Sequence, residues 1–139
     1  MPKGPDPRVD TAPLADVPRL LREGAAEFNA ARFWHAHEAW ESAWHALRKH
    51  DPRSESYVHG MILVAAALEN AKRGKENGFK RQFAEGLHLI LGSRERAPLQ
   101  RPRDWEDALV RLYADACRRL DWAAWNASGW SAPQVEFRD

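Results

Sequence analysis

Eight consecutive apolar residues, Met61-Ile62-Leu63-Val64-Ala65-Ala66-Ala67-Leu68, constrain this chain more than any other feature. On a helix they cover nearly every side over two turns, and a helix apolar all round belongs in the middle of a bundle. The run falls far short of the about 20 residues that cross a bilayer. Nowhere do apolar and polar residues alternate convincingly over six or more positions, which argues against strands. The expectation is an all-α fold: an up-and-down helical bundle of about five helices, with the third buried at its centre.

Proline and glycine mark the boundaries. Pro2, Pro5, Pro7, Pro13 and Pro18 crowd the first eighteen residues, so residues 1–13 read as a flexible N-terminal arm. Asp16 before Val17-Pro18 marks a helix start, and helix one runs to Asn29. Helix two spans Phe33 to Lys49 and stops before Asp51-Pro52. Helix three runs from Glu55 to Arg73 and closes at Gly74. Helix four, Phe79 to Leu91, carries Phe79, Phe83, Gly86, Leu87 and Ile90 on one stripe. Gly92 to Arg103 reads as a loop. Asp104 is expected to cap helix five, in which Trp105, Leu109, Leu112, Ala116, Leu120 and Ala123 recur at helical intervals. One helical-bundle domain then covers residues 14–125, and 126–139 form a C-terminal tail that could pack through Trp130 or Phe137.

At 139 residues the chain supports one core. Lys plus Arg number 21 and Asp plus Glu 20, and a net charge of +1 calls for neither nucleic acid nor an anionic membrane. The single cysteine, Cys117, allows no internal disulfide and no Cys-based zinc cage. With no apolar signal segment or spanning run, the reading is a cytoplasmic, non-membrane protein.

Chemistry concentrates on helix two. At about 100° per residue, Trp40, Trp44 and Leu47 form an apolar stripe with His37 beside Trp44, and Glu41 follows one turn after His37 on the stripe's edge. An imidazole and a carboxylate four residues apart among indoles should meet each other or another partner, because burial penalises either charge alone. His35 points the opposite way, and Glu38 and His45 lie at the flank. On helix three, His59, Ala66 and Asn70 form a second polar row next to Leu63. A short loop makes helices two and three antiparallel, so this row could face His37 and Glu41. The expected cluster is His37, Glu38, Glu41, Trp44, His59 and Asn70. Such a cluster is most often a satisfied structural network. It could also hold a divalent metal through His37, Glu41 and His59 with Glu38 as base, or line a small-ligand pocket with Glu or His as general base. The geometry makes Glu41→Ala the more destabilising change than Glu38→Ala.

Phe28-Asn29, Phe33-Trp34-x-Ala36-His37-Glu38-x-Trp40-Glu41-x-x-Trp44, Gly60-Met61-Ile62 with its small apolar run, and Gly74 with Gly78 together resemble the domain-of-unknown-function family 309, marked by a His-Glu-x-x-Glu-x-x-Trp helix. The resemblance implies an all-helical bundle and brings no reaction with it. By the same resemblance His37, Glu38, Glu41 and Trp44 are signature positions, and Gly60 and Gly78 are packing and turn glycines. Three departures are implied: His35 for a frequent carboxylate, Ala31 for a turn glycine, and Leu63 for a glutamine.

The chain is rich in tryptophan, with seven in all, and indoles at helical spacing are core and interface anchors. Trp122 and Trp125 are the candidates for a homodimer contact. Arg94, Arg96, Arg101 and Arg103 make a basic stretch, but no nucleic-acid-binding motif accompanies it, so nucleic acid is not the expected partner. The reading that follows is a non-enzymatic binding or scaffold protein, a homodimer with a buried His/Glu cluster and room for a small-molecule ligand. The alternative is a hydrolase-like metal-dependent enzyme.

Overall fold

The computed structural model describes residues 11–138. Most of the predicted arm, residues 1–10, lies outside them. Six α-helices follow in order: α1 (Val17–Asn29), α2 (Phe33–His50), α3 (Glu55–Lys72), α4 (Glu76–Gly92), α5 (Arg103–Arg118) and α6 (Trp122–Asn126). Single 3-10 turns cover Leu14–Asp16, Pro52–Ser54 and Arg94–Arg96. Among the described residues there is no strand, only an isolated antiparallel bridge between Gln100 and Arg138.

Helices α1 to α4 run antiparallel in succession, joined by links of three or four residues, whereas ten residues separate α4 from α5. Contacts fix the register: Trp40 of α2 donates its indole N–H to the Leu21 carbonyl of α1 at 3.1 Å, and Trp44 of α2 meets His59 of α3. Helix α3 is the centre, as its apolar run requires; ten of its residues are buried, including Tyr57, Met61, Val64 and Leu68. It approaches α4 backbone to backbone. A Cβ on Gly60 would stand 2.7 Å from the Gly86 carbonyl oxygen, and a Cβ on Gly86 2.7 Å from that of Gly60. Neither oxygen can move without shifting its helix, so both positions exclude side chains.

Several boundaries differ from the sequence expectation. Helix α4 begins at Glu76, not Phe79, and Gly78 lies inside it. That glycine is a packing residue: a Cβ there would sit 2.7 Å from the Asn70 side-chain nitrogen. Helix five does not continue to Ala123. It ends at Arg118, Leu120 is fully exposed, and a separate short helix starts at Trp122 with Asp121 accepting from the Ala124 amide at 3.2 Å. Asp104 lies in the first turn of α5 without capping it.

The C-terminal residues are part of the body. Asn29 clamps Val135 twice, donating to its carbonyl and accepting from its amide, both at 2.8 Å. Val135 and Phe137 are buried. Trp122 and Trp125 are buried as well, each within 5.5 Å of the Phe79 ring, and Trp125 stacks on Trp130. These two indoles are core residues of one chain, which removes them as a surface for a second copy.

Candidate functional site

Helix α2 sinks Phe33, Ala36, Trp40, Ala43 and Leu47 into the core. At about 100° per residue, Trp34, His37, Glu41, Trp44 and Arg48 then form the adjoining row, along the seam with α3. Trp34 is 48% exposed. Its ring lies flat against that of His37, centroids 4.6 Å apart and 6° from parallel. The imidazole is therefore covered from outside, by a residue one turn earlier, and not by turning toward the middle of the bundle. Its Nδ1 is buried with no partner in the protein.

His37 Nε2 stands 3.9 Å from Glu41 Oε2, beyond hydrogen-bond length, and the Glu41 side chain is 45% exposed. This is a rim contact, and such exposed pairs contribute at most ~1 kcal/mol. The expected buried His/Glu pair is thus corrected to a rim contact, with Glu41 partly buried and Glu38 exposed.

One turn further along, Trp44 gathers a second group. Its indole N–H donates to Glu55, its ring centroid lies 5.1 Å from those of His45 and His59, and the Arg48 guanidinium sits 4.8 Å over its face. Trp44 beside His59 and Phe33 beside Lys72 define the α2–α3 register. In that register Ala66 and Ala67 lie opposite His37, and His59 is two turns away, about 10 Å along the axis. Asn70 turns to α4, where its amide donates to Gln82. The six predicted residues therefore split: His37 and Glu41 meet under Trp34, Trp44 and His59 meet beside Glu55, and Glu38 and Asn70 join neither. Among the described residues no three His, Cys, Asp or Glu side chains converge as a metal would need, and His37, Glu41 and His59 stand apart in this structure.

Sequence reasoning missed the most enclosed charge. Glu106 is fully buried; it accepts from the Tyr57 hydroxyl at 2.6 Å and from Arg101 Nε at 2.7 Å. Burial, then the neighbouring Glu106 carboxylate, pushes the Tyr57 phenol well above its ordinary range. The signal was present, because Glu106 precedes Leu109 by three residues and so falls on the apolar stripe of α5. Beside it, the start of α5 and the C-terminal segment enclose a cleft of about 760 Å3, whose walls include Asn29, Gln100, Arg101, Arg103, Trp105 and Arg138.

No curated protein and no solved structure matches this chain. The family model described as Domain of unknown function (DUF309) matches residues 21–82, from α1 into α4, and so includes the whole row from Trp34 to His59 while leaving out α5 and most of the cleft. Over residues 21–82 the chain is thus similar to the uncharacterised DUF309 domain, the family that its His37-Glu38-x-x-Glu41-x-x-Trp44 helix resembles.

Proposed function

We propose that this protein is a non-enzymatic interaction module that pairs with a second copy of itself through the α2–α3 face. The observation that carries the reading is Trp34, nearly half exposed yet held rigid by its stack on His37. A preordered indole on a surface is a typical binding anchor, since it offers a large contact area with little side-chain entropy left to lose. Partly buried Trp44, Leu63 and Ala66 extend the apolar strip beside it, and charged groups rim it.

The rim is self-complementary. Glu38 and Glu41 lie toward the start of α2, and Arg48, Lys49 and His50 stand in its last turn. An antiparallel copy placed about a twofold axis at the level of Trp44 sets the acids of each helix against the bases of the other, the symmetry of an isologous dimer. Light scattering across micromolar concentrations tests this. The wild type should weigh as a dimer, and Trp34→Glu as a monomer with unchanged circular dichroism. Lys49→Glu should weaken the dimer and Glu38→Lys combined with Lys49→Glu should restore it. A monomeric wild type, or a Trp34→Glu variant that stays dimeric, overturns the proposal.

A further inference from the structure

The cleft at the start of α5 has a volume in the range of small-molecule sites, and its walls offer more donors than the protein uses. We propose that it binds a small molecule bearing an oxyanion, a carboxylate or a phosphate monoester. Helix α5 is sixteen residues long, opens at this cleft with Pro102 as its N-cap, and has no side-chain cap. Among the described residues, the Asp104 and Trp105 amides have no acceptor there, and the positive end of the helix dipole faces the same opening. Trp105, one of the residues that line the cleft, is only 2% exposed with its ring packed on Phe28 and Trp40, and its buried indole N–H has no acceptor in the protein. An orphaned buried donor in a cleft wall is the kind of group a bound acceptor satisfies.

Charge pairing points the same way. Glu106 is held by Tyr57 and Arg101, and Glu136 by Arg138. Arg103 lines the cleft in no ion pair among the described residues, leaving a guanidinium free for a charge-assisted bond. Asp104 also lines it without an ion pair and opposes an anion. Its presence makes a signed prediction possible.

The indole N–H resonance of Trp105, assigned with Trp105→Phe, is followed while the full chain is titrated with inorganic phosphate and, separately, with succinate at matched ionic strength. A saturable downfield shift with either probe is expected, and the probe that produces it tells phosphate from carboxylate. Asp104→Asn should tighten binding about fourfold, the effect of one unit charge at contact distance in water. Arg103→Glu, a surface change that leaves the circular dichroism unaltered, should weaken binding at least about tenfold. Absence of saturation with both probes, or affinities unchanged in both variants, overturns the proposal.

Discussion

Glu106→Ala should be among the most damaging single changes in this protein. The carboxylate is fully buried and accepts from two groups, the Tyr57 hydroxyl at 2.6 Å and Arg101 Nε at 2.7 Å. Truncation leaves both donors without an acceptor and opens a void where the carboxyethyl group stood. Tyr57 is itself fully buried, so its hydroxyl bears the whole desolvation penalty, about 1–3 kcal/mol. The Arg101 side chain is 26% exposed and can swing toward water, so its share falls at the low end of that range. With the void the total comes to about 3–4 kcal/mol, in line with the breaking of other buried ion pairs. For a protein of this size the whole stability is about 5–15 kcal/mol, so the loss is a large fraction of it.

Urea unfolding followed by tryptophan fluorescence and by circular dichroism measures the change. The midpoint should fall with the slope unchanged, because the same surface is exposed on unfolding. Glu106→Gln retains the shape and one acceptor for Tyr57, but turns an amide toward Arg101, and should cost less, about 1–3 kcal/mol. The reasoning fails if Glu106→Ala costs under about 1 kcal/mol, the range of a surface change, or if Gln proves worse than Ala.

Two further changes test other parts of the same picture. Ala31 holds φ at 61°, the left-handed region that favours glycine; relief of its strain, set against the greater chain entropy of glycine when unfolded, should make Ala31→Gly more stable by about 0.5–1 kcal/mol. A lowered thermal midpoint would refute this. The raised Tyr57 pKa makes an alkaline prediction: the unfolded phenol ionises near pH ~10 while the folded one stays protonated. Above that pH the unfolded state binds fewer protons, so stability is fully present below pH ~10 and falls as pH rises, by up to about 1.4 kcal/mol per unit. Tyr57→Phe should show a shallower alkaline loss in urea midpoints than the wild type, and equal slopes would sink the argument.

The helices and the central place of α3 could be read from local features, since an apolar run, prolines and spacing act within a few residues of where they stand. Boundaries set by distant packing could not. Helix α4 extends back through Gly78 because Asn70 of α3 demands a residue without a side chain there. The C-terminal residues are ordered because Asn29, more than a hundred positions earlier, takes both backbone groups of Val135. For the site, periodicity puts Trp44 on one stripe with Trp40 and Leu47, His37 beside it and Glu41 at the edge, but it gives the angle around a helix and not the depth: Trp40 and Leu47 are buried and Trp44 only partly so. Trp34 was read as one more indole, yet it is the residue that covers His37. Placing His59 opposite His37 required the α2–α3 register, which the length of the loop alone does not fix to within two turns.

The Tyr57–Glu106 bond also bears on what the segment 21–82 can be by itself. Tyr57 lies within that segment and Glu106 outside it, so its one fully buried hydroxyl is satisfied only by α5. The same holds for its apolar groups. Trp40 packs against Trp105 at 6.3 Å, Phe28 against Trp105 at 5.6 Å, and Phe79 against Trp122 and Trp125. Gly60 faces Gly86, four residues beyond the matched span. Four faces of the family segment are thus finished by residues that follow it, while the row from Trp34 to His59 is finished within it. The pairing proposed for the α2–α3 face therefore needs α5 and α6 only as support for the core beneath it. This places the α2–α3 face and the α5 cleft on opposite sides of one structural debt: the first stands on residues 21–82, the second on what closes them.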